Sequence, residues 1–259
     1  MTENYTDINS KTIDAWAEGG WEWSIATSPE EYANAKNGQW RVLLTPQKPV
    51  PAEWFAPFLQ NGKLNNTKLL GLASGGGQQM PIFTALGADC TVLDYSQKQL
   101  DNERMVSERE GYAINIIRAD MTKRLPFDDN SFDIIFHPVS NCYVEDVYHV
   151  WNECCRVLKH GGVLLAGMSN GLDYLVEEDN PLLIVNKLPY NPLKDKVLYE
   201  RSLKEGDGFQ FSHTIEEQVG GQLKAGLVLT HLYEDTDPPE TSILGDYVPL
   251  YIATRAVKP

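Results

Sequence analysis

The chain has 259 residues, 42% of them hydrophobic, with 22 Lys and Arg against 36 Asp and Glu and a formal net charge of −14. That length allows one large domain or a domain with a cap, and that apolar fraction is enough for a full core. The negative field repels phosphate backbones and argues against a DNA or bulk-RNA substrate, while no apolar run approaches the roughly 18 residues of a membrane helix.

The opening residues MTENYTDINSK are polar and do not read as a signal peptide, so a cytoplasmic protein is expected. The four cysteines, Cys90, Cys142, Cys154 and Cys155, make no CxxC pair and read as free thiols, with Cys142 in a loop. No metal site is expected.

Residues 1–66 read as an aromatic-rich N-terminal extension or cap that holds Trp16, Trp21, Trp23, Trp40 and Trp54. A helix is expected from Thr12 towards Trp23, interrupted at Gly19-Gly20. A second helix is expected over Pro29 to Lys36, with Ser28 as its N-cap. Pro46, Pro49 and Pro51 impose an extended path, and Ala52 to Leu59 reads as a helical turn. At least one of these aromatic rings is expected to line a ligand pocket.

From residue 67 to 171 strand and helix alternate, which argues for a parallel sheet covered on both faces. Lys68–Leu72 is a strand, Ala73–Gly77 a small-residue turn and Gln78–Leu86 a helix closed by Gly87. Thr91–Leu93 is a strand ending on Asp94. Small residues admit a ligand to the backbone, the helix behind them offers free N–H groups, and an acid about 20 positions on can accept from a ribose. The ligand class at this point is a dinucleotide or another adenosine compound. Ser96–Glu110 is a helix stopped by Gly111, and Ile114–Arg118 is a strand leading to Asp120. Asp128 to Asn130 is a turn, and Phe132–Phe136 a strand. Val147, Val150, Trp151, Cys154, Cys155 and Leu158 then fall on one helical face, Gly161 stops that helix, and Val163–Ala166 is the next strand. Residues 172–212 break the rhythm with Pro181, Pro189 and Pro192 and read as an inserted cap or lid. Phe209–His213 is a possible strand, Thr214–Ala225 a helix, and Leu227–Tyr233 and Tyr251–Val257 two closing strands.

The ordered set LASGGG, LDYS, RADM, LPFDDNSFDIIF and RVLKHGGVLLAG resembles the class I S-adenosylmethionine-dependent methyltransferases over residues 67–171, and the QLKAGLVL and IATRAVKP segments resemble that family's last helix and strand pair. The resemblance implies an α/β, Rossmann-like, seven-stranded and mostly parallel sheet with helices on both faces and an antiparallel C-terminal strand. It makes 67–259 the methyltransferase core and implies S-adenosylmethionine as cofactor. The acceptor expected is a small molecule, with a protein side chain next and without nucleic acid or membrane, methylated by direct displacement at the methyl carbon of the sulfonium; oligomeric state is left open. Two other functions stay open: a non-catalytic S-adenosylmethionine sensor, and a nicotinamide oxidoreductase, whose GxGxxG pattern fails at Met80.

Carried over by position, the resemblance implies cofactor contacts from Gly71, Ala73, Ser74, Gly75 and Gln78 at the turn. Gly71 and Ala73 depart from the family's usual acid and first glycine. Asp94 corresponds to the ribose ligand, Tyr95 to an adenine-stacking ring and Gln99 to an adenosine contact. Asp120 and Met121 correspond to the adenine pair, and His137 lies where the methionine part meets the acceptor. The catalytic residue is left unknown, with His137 the first candidate for a general base. The tip HPVSN lacks the signature of base-amino methylation, and Cys142 does not follow a proline as a cytosine-directed nucleophile does.

Overall fold

The computed structural model describes residues 4–177, 180–239 and 241–259. Met1 to Glu3 of the N-terminal extension, and Glu178 and Asp179 of the expected insertion, lie outside the described residues, as does Glu240.

The N-terminal extension opens with α1, Tyr5–Glu18, which starts seven residues before the expected Thr12 and ends at Gly19. The polar run YTDINSK hides the helix from a search for apolar periodicity, because its inner face buries Thr6, Asn9 and Ser10 rather than large apolar groups. α2, Pro29–Lys36, is started by a capping box. The Ser28 hydroxyl accepts from the Glu31 N–H, and the Glu31 carboxylate accepts from the Ser28 N–H at 2.8 Å.

The core then runs β1 (Lys68–Leu72), α3 (Met80–Ala85), β2 (Asp89–Asp94), α4 (Gln97–Glu110), β3 (Asn115–Arg118) and β4 (Phe132–His137). It continues through α5 (Val147–Val157), β5 (Leu158–Ser169) and the hairpin β6 (Val176–Glu177) and β7 (Asn180–Ile184). The last elements are α6 (Lys196–Glu205), α7 (Gly221–Lys224), β8 (Val228–Asp235) and β9 (Tyr251–Val257). Seven strands pair in the order β3-β2-β1-β4-β5-β9-β8, with β9 antiparallel to both neighbours and the pairs from β3 to β5 parallel. This is the expected Rossmann-like sheet.

Strand alternation builds two cores, one on each face. Leu69, Val92, Ile134, Phe136, Val163 and Leu165 pack with Met80, Phe83 and Leu100, and with Tyr32, Trp54 and Phe55 of the extension. Leu70, Leu72, Leu93, Ile135, Leu164 and Ala166 pack with Val147, Val150, Trp151 and Cys154 of α5. So Trp54 is core filler on one face, 3% exposed.

Three sequence expectations need correction. α5 ends at Val157, and Leu158 already belongs to β5, where it pairs with Phe132. Phe209–His213 is not a strand; the Phe211 N–H donates to the Cys142 carbonyl and the Ser212 N–H to the Tyr190 carbonyl, so two different segments take its backbone bonds. The helix expected over Thr214–Ala225 is a π-helical stretch, Glu216–Gly220, running into the short α7. A Cβ at Gly221 would lie 2.6 Å from the Trp151 ring, so this glycine lets the segment sit against α5.

Candidate active site

The site forms where β1, β2, β3, β4 and β5 end, the edge of a parallel sheet at which backbone N–H groups and strand-tip side chains converge. β1 leads into the turn 73–79. Ala73 stands in the left-handed region at φ 47°, followed by Gly76 at 90° and Gly77 at 70°. For alanine that conformation costs about 1 kcal/mol, offset here by the Ala73 N–H donating to the Leu93 carbonyl at 2.8 Å.

The turn is tied to Asp94 at the tip of β2. One Asp94 oxygen accepts from the Gly75 N–H at 3.1 Å and the other from the Ser96 N–H at 2.9 Å. Burial raises the Asp94 pKa, and these backbone donors offset part of that rise. A Cβ on Gly75 would lie 2.8 Å from the Gln99 Cβ and 3.0 Å from the Asp94 carboxylate, so only glycine fits between them.

The extension straps this turn. Thr27 donates its N–H to the Gly77 carbonyl and its hydroxyl to the Gln78 carbonyl. The Gln78 side-chain amide donates to the Glu22 and Ile25 carbonyls, and that of Gln99 to the Trp23 carbonyl at 3.2 Å. From α1, Asp7 accepts from the Tyr95 hydroxyl at 2.5 Å, and Asp14 from the Ser96 hydroxyl at 2.6 Å. The Arg118 guanidinium lies 5.3 Å from the Tyr95 ring centroid. Asp120 turns one oxygen onto the Thr122 N–H at 2.8 Å.

These groups wall a cavity of about 290 Å³. Ala73, Ser74, Gly75, Gln78, Asp94, Tyr95, Gln99, Asp120 and Met121 all line it. Gly71 and His137 do not. At Gly71 a Cβ would meet the Met80 sulfur at 2.6 Å, so a fully buried thioether occupies the space an acidic side chain would need. His137 is fully buried behind the wall, edge-on to Trp151. Its Nδ1 lies 2.9 Å from the Leu72 carbonyl and its Nε2 2.9 Å from the Asn141 side-chain oxygen. Burial lowers its pKa, so the ring is held neutral and engaged rather than free to act as a base on a ligand.

Several lining residues were not legible as site residues. Thr6 and Ile13 come from α1, Ser169 from the end of β5, and Asp173, Tyr174 and Tyr251 from beyond it, whereas Trp21 and Trp23 of the strap are the aromatic lining expected of residues 1–66. Asp173 lies four residues after the end of β5, so the strand-tip rule that marked Asp94 and Asp120 reaches it once β5 is placed. The Cys142 thiol faces the Tyr143 and Tyr174 hydroxyls; burial, then Asp173, pushes its pKa up to about 12, so it is not a thiolate nucleophile. Four buried side-chain atoms of the wall lack a hydrogen-bond partner among the described residues: Thr6 Oγ1, Ser74 Oγ, Gln99 Oε1 and Thr122 Oγ1. Such orphans gathered on one cavity mark a wall shaped for a polar ligand.

Comparison with known proteins gives the chemistry. The Methyltransferase domain family matches residues 70–166. The uncharacterized methyltransferase YbaJ of Bacillus subtilis is 40% identical over 256 residues, covering 96% of this chain and 97% of that one. Among solved structures, an S-adenosylmethionine-dependent methyltransferase from Mesorhizobium loti superposes with a TM-score of 0.60 at 18% identity, over 80% of this chain and 98% of that one. A geranyl diphosphate C-methyltransferase from Streptomyces coelicolor, solved with S-adenosyl-L-homocysteine, gives 0.57 at 17% identity, over 80% and 78%. With its strand order, glycine turn and strand-tip acid, the chain belongs to the class I S-adenosylmethionine-dependent methyltransferases and is an enzyme that uses this cofactor as methyl donor.

Proposed function

We propose that the 290 Å³ cavity is a methyl-transfer chamber for a small-molecule acceptor, with the donor held at the tips of β1 to β3 and the acceptor beneath Cys142, Ser169, Asp173, Tyr174 and Tyr251. The observation that carries this reading is that one cavity is walled both by the Asp94-glycine turn and by residues from α1, the strap and the 169–174 segment. Residues 1–66 and 172–212 then serve as cap and lid.

The wall suits the donor. Asp94 takes the ribose hydroxyls, Tyr95 and Met121 flank the adenine, and Asp120 keeps one oxygen for its amine. The orphaned Ser74, Gln99 and Thr122 atoms offer further polar contacts. The carbonyls of the glycine turn accept from the methionine ammonium, in place of the carboxylate that Gly71 lacks. The bound sulfonium supplies an already activated methyl group. The chain therefore needs mainly to align the acceptor with it and keep water out, an effect that contributes several kcal/mol. Trp21, Trp23 and the tyrosines make that enclosure apolar.

The −14 charge disfavours nucleic-acid acceptors. Among the described residues no helix is long and apolar enough to cross a membrane. With its four cysteines free, we assign the protein to the cytoplasm. The test is incubation with methyl-labelled donor and a cell extract split by size. Label in the low-mass fraction is expected; label confined to protein or nucleic acid refutes the small-molecule assignment.

A further inference from the structure

We propose that the acceptor is an amine, gripped at the far end of the cavity by the Asp173 carboxylate, which also takes the proton its nitrogen must lose to be methylated. This rests on the methyl-transfer reading of the cavity. The first observation is charge. Among the described residues that line the cavity there is no lysine, arginine or histidine, while three are aspartates: Asp94, Asp120 and Asp173. The protein wall itself offers an acceptor phosphate or carboxylate no counter-charge, whereas it offers an acceptor cation three carboxylates.

The second is division of labour. Asp94 has both oxygens on backbone N–H groups beside the glycine turn, and Asp120 caps the turn after β3. Asp173 stands apart from them, after β5, where it accepts from the Ser169 hydroxyl at 3.1 Å and from the backbone N–H groups of Asp173 and Tyr174. No cation pairs with it among the described residues. A carboxylate withdrawn from water without a cation is costly, and an ammonium would supply the missing charge where a neutral alcohol would not.

The third is the company it keeps. Tyr143, Tyr174 and Tyr251 line the same end, and aromatic rings beside a carboxylate suit a cation on an apolar body. The groups facing Asp173 are Cys142 from the tip of β4, Ser169 from β5, Tyr174 beside it, Tyr251 from β9 and Asp237 from the β8–β9 connection. Tyr251 gives its hydroxyl to Asp237 at 2.9 Å, so at this end of the cavity the Asp173 carboxylate is not taken up by that hydroxyl. Burial first, and Asp237 next among the raising causes, lift its pKa to about 6, a range in which a carboxylate is a competent base near neutral pH.

The chemistry balances. The acceptor's ammonium gives one proton to Asp173, breaking N–H and forming O–H. The freed nitrogen lone pair forms the new N–C bond, the methyl–sulfur bond breaks, and its electron pair stays on sulfur. Asp173 afterwards releases its proton to water. Neutralising the ammonium also removes a cation–cation repulsion with the sulfonium.

The test uses benzylamine, 2-phenylethylamine and 3-phenylpropylamine, each beside the alcohol and the carboxylic acid of matched length. They are titrated calorimetrically into the full-length protein saturated with S-adenosylhomocysteine. At least one amine is expected to bind tenfold or more tighter than its alcohol, with no binding of the acids. That preference should disappear in Asp173→Asn, whose affinity for S-adenosylhomocysteine should stay unchanged and so report an intact fold. The wild-type preference should also weaken as pH falls below about 6. Equal binding of amine and alcohol, tighter binding of an acid, or an unaltered preference in Asp173→Asn overturns the proposal while leaving the chamber intact. Failure of the unsubstituted protein to bind S-adenosylhomocysteine would overturn the chamber and this inference with it.

Discussion

Glu103 offers a test of how the core behind the cofactor turn is built. It lies on α4, fully buried, with one carboxyl oxygen 3.2 Å from the Tyr112 hydroxyl and the other without a hydrogen-bond partner among the described residues. Burial raises its pKa from 4.5 to about 7, the Tyr112 hydroxyl and the nearby Gly77 N–H offsetting part of the rise. The native carboxyl therefore keeps a proton that the unfolded chain releases between pH 4.5 and about 7. Where the native state binds more protons, stability falls as pH rises. A rise of this size corresponds to about 3 kcal/mol, fully lost above roughly pH 8. Glu103→Gln keeps the shape and a hydrogen-bond acceptor for Tyr112 but cannot ionise. Its stability relative to the parent, from urea unfolding, should grow by about 3 kcal/mol between pH 4.5 and pH 8.5. Parallel pH dependences for the two proteins would show that the ionised carboxylate is solvated in the native state, and the burial argument would fail.

Asp94→Ala removes the acceptor proposed for two ribose hydroxyls; at about 1.5 kcal/mol or more for each charged hydrogen bond, S-adenosylhomocysteine affinity should fall at least 100-fold by calorimetry. Gly71→Asp should lower the melting temperature by several degrees through its clash with Met80, and Gly71→Asp combined with Met80→Ala should regain part of the loss; equal melting temperatures for the two variants would contradict the packing described. His137→Ala should lose about 2–4 kcal/mol by opening a buried cavity and orphaning Asn141, while the pH dependence of turnover keeps its shape, since the ring is neutral and shielded; a lost titration would restore it as a base.

The cavity wall around the glycine turn was legible because its parts sit at strand tips. Once Lys68–Leu72 and Asp89–Asp94 are parallel neighbours, the register Leu72 to Leu93 places the glycine turn beside Asp94, and β3 pairing brings Asp120 next to both. Short-range pattern therefore determined long-range geometry. It failed for α1, whose buried face is polar, and for the Phe209–His213 segment, whose backbone partners lie at Cys142 and Tyr190. It also misjudged His137, which ends the right strand; the neighbouring position Pro138 lines the cavity, while the imidazole turns back into the protein to meet the carbonyl of Leu72.

That inward turn bears on how the two halves are held in register. His137 meets Asn141, whose side-chain amide donates to Gln218 at 3.0 Å; Gln222 donates to the Gln218 carbonyl and accepts from Thr254 of β9. His213 adds a contact of 3.1 Å to the Asn141 carbonyl. The side chains of His137, Asn141, Gln218, Gln222 and Thr254 are all buried, so breaking one link strands another in the core. The network fixes the segment after β4, and with it Ser140, Cys142 and Tyr143, against the C-terminal strands that carry Tyr251. A cavity walled by residues more than 70 positions apart in sequence needs such a brace, because strand pairing alone sets the tips of β1 to β4 but not the loop that follows β4. The polar residues His213, Gln218 and Gln222 are the far end of that brace.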